Sequence, residues 1–279
     1  MSNLFRKKSL ERISSPEQLN AYIRVSTPSV WLLLGAVIVL LALGGMPLFD
    51  SVVHAFGTAG TGGFGIKNDS IASYSPYLQN VTTVFMFLFG INFSCYYLLL
   101  LGQVRSVFKD EELRLYFGII LFTILLIVWN TFGIYGTLEE TIRHAAFQVG
   151  SIITTTGFAT TDFDLWPSFS KTILLCLMVV GASAGSTGGG LKVARLLLLM
   201  KGTRRNIRKM LNPRKVELIR NNGAVVDEQI LDNTNAYLAA YVIIIVCSFL
   251  ILCLDGNTVG TNFTAVLACF NNIGPGLEA

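Results

Sequence analysis

Residues 147–167 read FQVGSIITTTGFATTDFDLWP, an apolar stretch that ends in a glycine-bearing turn. The apolar part is too short to cross a bilayer, for which a helix needs roughly 17–25 residues. Two other parts of the chain have the same form, and the three turns carry the strings Thr61-Gly62-Gly63-Phe64, Thr155-Thr156-Gly157-Phe158 and Asn272-Ile273-Gly274-Pro275. Irregular backbone at membrane depth is tolerated where it lines a water-filled path, as in ion selectivity filters. The pattern predicts a chain that dips into a membrane and presents backbone carbonyls to an ion.

The composition supports a membrane location. Hydrophobic residues make up 52% of the 279 residues, and charged residues only 14%. The mean hydropathy is +0.59, whereas soluble domains carry about 25% charged residues. We therefore expect an integral membrane protein whose main surroundings are the lipid bilayer.

The net charge of +4 comes from basic residues that are confined to a few segments. Of the 21 lysine and arginine residues, 18 lie in 1–28, 102–114 or 192–220. The order of the apolar segments places these three groups on one side of the membrane. The positive-inside rule then predicts that this side and the N-terminus are cytoplasmic. The same placement argues against nucleic-acid binding.

The order of segments indicates an internal repeat of a span, a half-helix, a glycine turn and a second span. Spans are predicted at 30–45, 78–101, 115–134 and 236–254, and half-helices at 47–57, 138–151 and 263–270. The predicted fold class is all-α transmembrane, with span–pore helix–filter loop–span units around a single pore and incomplete at both ends. The predicted divisions are a cytoplasmic arm (1–28), a pore-loop repeat (29–101), a second repeat with a broken last helix (115–200), a cytoplasmic loop (201–232) and a partial repeat (233–279).

The three strings are predicted to form an ion filter. A half-helix that ends inside the membrane brings the negative end of its dipole there, and the carbonyls that follow replace a cation's hydration shell. Glycine is required where such a turn needs positive φ. The predicted filter residues are Thr61, Gly62, Gly63, Thr155, Thr156, Gly157, Asn272, Ile273 and Gly274, with K⁺ at the carbonyls of Gly62, Gly63, Thr156, Gly157, Ile273 and Gly274. The alternative is that these glycines only allow close helix packing.

A second glycine-rich segment, 181–190, interrupts an apolar run between 173 and 200. Residues this small cannot hold a lipid-facing helix, and a flexible loop below the filter is predicted to act as a gate. The predicted gate residues are Gly181, Gly185, Gly188, Gly189 and Gly190. The segment also contains a G-x-S-x-G pattern around Ser183. An intramembrane protease would need His54 or His144 as its base, so this remains a minor alternative and no enzyme is expected.

Several other residues have two interpretations. His54 and His144 are expected to be hydrogen-bonded packing residues of the half-helices, and the alternative is a proton relay. Asp162 and Asp164 either concentrate cations at the outer mouth or are solvated loop charges. The basic run 204–209 either faces anionic lipid or docks an acidic cytosolic partner. The five cysteines (Cys95, Cys176, Cys247, Cys253 and Cys269) lie in apolar runs and are predicted to be buried small hydrophobes, without disulfide or zinc.

Four segments carry a resemblance to a known family: MPLFDSVVHAFGTAGTGGFGIKNDSI (46–71), FQVGSIITTTGFATTDFDLWP (147–167), GASAGSTGGGLKVARLLLL (181–199) and FNNIGPGL (270–277). From about residue 44 to 279 the chain resembles the Trk/Ktr/HKT superfamily of potassium transporters, and within it the bacterial Trk H-type uptake subunits. The resemblance implies four pore-loop repeats around one pore, of which Gly63, Gly157 and Gly274 belong to the second, third and fourth. It also implies K⁺ as the transported ion without a cofactor, a homodimer in the bacterial inner membrane, and a cytosolic nucleotide-binding regulatory subunit of the Trk A-type.

The chain also departs from that family's pattern. The first repeat and the last helix of the fourth are expected to be absent. Residues 1–43 look foreign and resemble the N-terminal anchor of an HlyD-like secretion protein. Two alternatives follow, a membrane-anchored secretion adaptor and a non-functional chimeric fragment.

Overall fold

The computed structural model describes residues 16–214 and 217–276, with side chains described from residue 27 onward. The structure is mostly helical, as predicted, and contains almost no strand. In chain order the helices are α1 (Pro16–Leu43), α2 (Leu48–Ala59), α3 (Pro76–Phe89), α4 (Phe93–Leu100), α5 (Val104–Phe108), α6 (Glu111–Thr131), α7 (Leu138–Ile153), α8 (Ser168–Val180), α9 (Val193–Leu211), α10 (Glu228–Leu252) and α11 (Val259–Phe270). Single 3₁₀ turns lie at Phe163–Leu165 and Cys253–Asp255, and a short antiparallel hairpin joins β1 (Arg220–Asn221) to β2 (Ala224–Val225).

Side-chain caps explain where several of these helices begin. The Asp110 carboxylate accepts a hydrogen bond from the Leu113 N–H at 2.9 Å, and the Thr137 hydroxyl accepts one from the Glu140 N–H at 3.2 Å. Asp227 caps α10 in the same way. Each side chain satisfies one of the backbone donors that the first turn of a helix leaves unpaired. These helix starts are therefore encoded locally.

Within the described residues, α6 and the segment Glu228–Asp255 are long and apolar enough to cross a membrane. Helices α3 and α4 pass the same test together, but they are bent by 91° relative to each other. The run predicted as one span over 78–101 is therefore two helices with a sharp bend between them, and its crossing of the membrane stays a prediction. Gly90 ends α3, and Asn92 begins α4 by accepting a hydrogen bond from the Ser94 N–H at 2.9 Å.

Two further helices differ from their predicted bounds. Helix α1 begins at Pro16, well before the predicted span over 30–45, and it contains Pro28. Helix α9 continues to Leu211, and the hairpin β1–β2 follows it, so 201–232 holds ordered structure where the sequence predicts a loop.

The core is centred on α7, which packs against α3, α6 and α8. A large hydrophobic cluster joins α6, α7 and α8, and a second cluster joins α1 to α2 and α3. The prediction of buried cysteines is correct only for Cys95, because the other four are exposed. Three of these four lie on apolar helices, and Cys253 lies in the 3₁₀ turn that follows α10.

Candidate functional site

The three predicted strings have the same backbone hydrogen bonds. We name them string one (Thr61–Phe64), string two (Thr155–Phe158) and string three (Asn272–Pro275), and they follow the ends of α2, α7 and α11. In string one the Gly62 N–H donates to the Gly57 carbonyl at 2.9 Å, five residues back. The matching bonds run from Thr156 to Ser151 and from Ile273 to Ala268, both at 2.8 Å. With the accompanying bonds three residues back, each end is a Schellman motif.

The strings also share their backbone conformation. The first residue of each has positive φ, 50° at Thr61, 56° at Thr155 and 58° at Asn272. The third residue of each is a glycine with positive φ, 68° at Gly63, 87° at Gly157 and 103° at Gly274. A left-handed non-glycine residue costs about 1–2 kcal/mol, and this strain recurs at one equivalent position in all three strings. The positive φ predicted for the glycines is confirmed.

The strings lie side by side in chain order. A Cβ atom at Gly63 would overlap the carbonyl oxygen of Thr156, and one at Gly157 would overlap the carbonyl oxygen of Ile273. A Cβ atom at Gly274 would meet no described atom within 4 Å. The three strings therefore form an arc, with string two in the middle and an open side at Gly274. Thr155 and Thr156 are fully buried at its centre.

The predicted gate segment, 181–190, which we name the glycine loop, lies against strings one and two and against the residue before string three. Its Gly189 N–H donates to the Thr155 hydroxyl at 2.6 Å, and its Thr187 carbonyl accepts from the Thr61 hydroxyl at 3.3 Å. A Cβ atom at Gly189 would overlap the carbonyl of Asn271, which directly precedes string three.

The other predicted gate glycines hold the glycine loop in shape. Gly181 and Gly190 lie back to back, so that a Cβ atom at Gly190 would be 2.7 Å from the Gly181 Cα. A Cβ atom at Gly188 would be 2.7 Å from the Thr154 carbonyl oxygen, and Gly185 has a φ of 74°. Substitution at these positions requires the loop or the strings to move.

The two histidines pack within the half-helices, as expected. The predicted hydrogen bond is present at His144 only, since neither ring nitrogen of His54 has a hydrogen-bond partner among the described residues. His54 is fully buried against Tyr74 and Phe158, with ring centroids 5.4 and 5.5 Å away. His144 Nδ1 lies 3.0 Å from the Thr160 hydroxyl, and its ring stacks on Tyr135 at 4.9 Å. Among the described contacts, neither histidine hydrogen-bonds Ser183, so the geometry of a serine nucleophile with its base is not formed.

A loop behind string one, between α2 and α3, holds a small polar cluster. The Tyr74 hydroxyl donates to the Asp50 carboxylate at 2.9 Å, and the Lys67 ammonium lies 4.0 Å from the centroid of the Tyr74 ring. Partial burial, followed by the hydrogen bond and negative charge of Asp50, raises the pKa of Tyr74 to about 12. The hydroxyl is therefore a donor at neutral pH.

Asp162 and Asp164 stand after string two, as predicted. The Asp162 carboxylate accepts a hydrogen bond from the Asp164 N–H at 2.9 Å and begins the 3₁₀ turn Phe163–Leu165. The Asp164 carbonyl accepts from the Lys171 ammonium at 3.1 Å. The Asp162 side chain thus has a structural role, and attraction of cations by either carboxylate stays a prediction.

Two contacts of the glycine loop were missed by the sequence analysis. The Ser183 N–H donates to the Gly90 carbonyl at 3.0 Å, and the Phe93 N–H donates to the Gly185 carbonyl at 3.2 Å. The loop is thus paired with the break between α3 and α4. The Gly90-Ile91-Asn92 sequence within an apolar run is the one local signal that could have indicated this break.

Comparison with known proteins gives a consistent result. The model of a family described as TrkH, cation transport protein, matches residues 30–278. The Trk system potassium uptake protein TrkH of Salmonella typhimurium is 34% identical over 258 residues, which cover 89% of this chain and 53% of that protein. The Trk system potassium uptake protein TrkG of Escherichia coli is 31% identical over 272 residues, covering 94% of this chain and 56% of that protein.

A solved structure is also similar. The crystal structure of the potassium transporter TrkH from Vibrio parahaemolyticus superposes with a TM-score of 0.86 at 32% identity, covering 94% of this chain and 57% of that one. The chain thus spans about half the length of the curated relatives it matches.

These matches overturn the prediction that residues 1–43 are foreign. The family match begins at residue 30, inside the first apolar helix. A match over 94% of the chain leaves only 6% of it uncovered. The apolar segment 30–43 therefore belongs with the rest of the chain, and the secretion-adaptor alternative is not supported. Residues 1–15 lie outside the described residues.

Proposed function

This chain belongs to the TrkH family of cation transport proteins, and from that premise we propose that it forms three of the pore-loop units through which K⁺ enters a bacterial cell. The observation that carries the proposal is the arc of three strings with equivalent hydrogen bonds and equivalent positive φ angles. The relatives named as potassium uptake proteins support K⁺ as the transported ion.

In the proposed mechanism, the strings bind K⁺ through backbone oxygens. The helices α2, α7 and α11 each end at a string, so the negative end of each helix dipole favours a cation there. The carbonyls proposed as ligands belong to Gly62, Gly63, Thr156, Gly157, Ile273 and Gly274. Hydrogen bonds behind string two, from the Ser151 hydroxyl to the Phe158 carbonyl at 2.5 Å and between the hydroxyls of Thr154 and Thr156 at 2.7 Å, would hold its backbone in place.

A complete ring requires one more unit. We propose that a fourth string, supplied by another part of the transporter, closes the arc beside Gly274, where a Cβ atom would meet no described atom. Gly274 has a positive φ of 103°, as the other two string glycines do. String two lies against string three at Ile273, whereas no described atom lies against the Cβ position of Gly274. The shared conformation without a described neighbour supports this arrangement.

The glycine loop is proposed to be the gate. It contacts strings one and two through Thr187 and Gly189, and Gly189 also lies against Asn271 just before string three, so the loop would obstruct the path from one side of the filter. The side of the membrane that carries the basic segments is proposed to be cytoplasmic, with the N-terminus on that side. A homodimer and a cytosolic nucleotide-binding regulatory subunit of the Trk A-type are the proposed partners, as the family resemblance implies.

Uptake of radioactive Rb⁺, a K⁺ substitute, tests the proposal. Residues 30–276 would replace the matched segment of the TrkG relative from Escherichia coli, in cells that lack their own potassium importers. We expect saturable Rb⁺ uptake that K⁺ competes for and Na⁺ does not. A chimera that reaches the membrane in normal amounts but gives no uptake would contradict the proposal.

A further inference from the structure

A buried glutamate side chain holds the glycine loop. Glu112, in the first turn of α6, is only 8% exposed, and its Oε1 accepts a hydrogen bond from the Ala184 N–H at 2.5 Å. Ala184 lies in the first half of the loop. One side chain of α6 therefore binds the backbone of the loop directly.

The start of α9 is bonded to both halves of the glycine loop. The residue at its N-cap position, Lys192, has a φ of 76° and provides no side-chain cap. Its ammonium donates to the Gly188 carbonyl in the second half of the loop. The Val193 N–H donates to the Ala182 carbonyl in the first half at 3.0 Å. A change in the position of the loop would therefore also affect the first turn of α9.

The residues immediately before Glu112 hold the hairpin β1–β2. The Glu111 N–H donates to the Asn222 side-chain carbonyl at 2.9 Å, and the Asn222 amide donates to the Asp110 carboxylate at 2.7 Å. The Glu111 carboxylate accepts from the Asn222 N–H at 3.3 Å and pairs with the Lys201 ammonium. The turn of the hairpin and the glycine loop are therefore bound by neighbouring residues of one helical turn.

We propose that the first turn of α6 couples the 220–225 hairpin to the glycine loop, with Glu112 as the positioning residue that holds the loop against the strings. A partner that binds beside the 220–225 hairpin and displaces it would thereby loosen the loop. The proposal rests on the function proposed above, because it assigns regulation to the same gate. Asn222 is 112 positions from Asp110 and 38 from Ala184 in the sequence. In the structure Asn222 binds Asp110, and Ala184 binds Glu112, two residues further along the same helical turn.

Amide hydrogen exchange of the purified chimera in nanodiscs tests the coupling without depending on transport. The variants are Glu112→Ala, Glu112→Gln and Asn222→Gly, and the control is Asp232→Ala, which removes an exposed carboxylate at the start of α10. Glycine accepts the φ of 49° at Asn222, so Asn222→Gly removes the side chain and preserves the turn. Glutamine keeps an oxygen acceptor for the Ala184 N–H.

We expect Glu112→Ala to raise exchange at 182–187 about tenfold, since the Ala184 N–H loses its hydrogen-bond acceptor, and Glu112→Gln to raise it much less. Asn222→Gly is expected to raise exchange in the same peptide severalfold, although its own contacts are with the hairpin and α6. Exchange at 147–153 should not change, which excludes general unfolding. An effect of Asn222→Gly that stays within 217–226 would overturn the proposal, and so would unchanged exchange at 182–187 in Glu112→Ala. If Glu112→Ala does not fold, the Asn222→Gly result decides.

Rb⁺ uptake provides the second measurement. Asn222→Gly is expected to increase uptake per molecule at least twofold without changing the preference for K⁺ over Na⁺, because the filter itself is not altered. Increased uptake with reduced selectivity, or unchanged uptake, would contradict the coupling. A wild-type chimera that does not transport would refute the proposed function instead, and the exchange data would still decide the coupling.

Discussion

The carbonyl oxygen of Thr156 occupies the space that a Cβ atom would need at Gly63. The carbonyl oxygen of Ile273 has the same relationship to Gly157. Each of these glycines therefore allows one string to approach the carbonyl that the next string presents. The close approach of neighbouring strings therefore requires that Gly63 and Gly157 have no side chain.

Gly63→Ala is expected to lower both stability and Rb⁺ uptake. The added methyl group overlaps the Thr156 carbonyl, and the left-handed backbone adds about 1–2 kcal/mol of strain. Uptake by the chimera should fall at least tenfold. Gly118→Ala is the matched control, because Gly118 lies inside α6 with open space at its Cβ position. An uptake loss as large in Gly118→Ala would show that glycine replacement acts here through general helix effects.

Gly274→Ala is expected to behave differently from Gly157→Ala. Both glycines have positive φ, but only at Gly157 would a Cβ atom overlap a described carbonyl. If a fourth string closes the arc, the alanine at 274 will reduce Rb⁺ uptake by the chimera as strongly as the alanine at 157. A substantial activity that survives Gly274→Ala alone would contradict the fourth string beside this residue.

Thr155→Val is expected to destabilise the protein by about 1–3 kcal/mol, because it leaves the Gly189 N–H without its acceptor in a buried place. Thr155→Ser retains the hydroxyl and should lose much less. Thermal unfolding of the two variants in the same detergent measures the difference. A Thr155→Val variant as stable as the wild type, or one less affected than Thr155→Ser, would contradict a stabilising role for the hydrogen bond to the loop.

The contribution of the Tyr74–Asp50 hydrogen bond should be constant at neutral pH and lost in strong alkali. Burial and Asp50 raise the pKa of Tyr74 from 10.0 to about 12 in the folded protein. The neutral hydroxyl therefore stabilises the fold fully below pH 10, and this stabilisation is lost as the pH rises through about 12. The difference in Tm between the wild type and Tyr74→Phe should not change from pH 6 to 9. A difference that already shrinks by pH 8 would contradict the assigned pKa.

Local features of the sequence predicted the half-helices and strings well. A helix of limited length that ends in a glycine turn is encoded by adjacent residues, and α7 closely matches its predicted range of 138–151. The positive φ at Gly63, Gly157 and Gly274 follows from the same local chemistry. The matching positive φ at Thr61, Thr155 and Asn272 was not predicted, because a β-branched threonine rarely adopts it and only asparagine is a common alternative to glycine there.

Features that depend on distant contacts could not be predicted. The run 78–101 is mainly apolar, and Gly90-Ile91-Asn92 is only a weak local signal of its break. The contacts that hold the break in place are distant in sequence, because the Gly90 carbonyl accepts from Ser183 and the Phe93 N–H donates to Gly185. Glu112 resembles an ordinary acidic residue at a helix start, and its contact with Ala184 spans 72 positions. The order of apolar and polar residues along the chain holds no information about contacts between residues so far apart in sequence.

The central claim, that the strings select K⁺, is tested most directly by Gly157→Ser in the chimera, with Gly118→Ser as the control. A side chain at Gly157 must displace the Ile273 carbonyl, which is one of the proposed ligands. The measurement is the ratio of K⁺ to Na⁺ competition against Rb⁺ uptake. We expect this ratio to fall clearly in Gly157→Ser and not in Gly118→Ser. An unchanged ratio in a Gly157→Ser variant that still transports would contradict the claim.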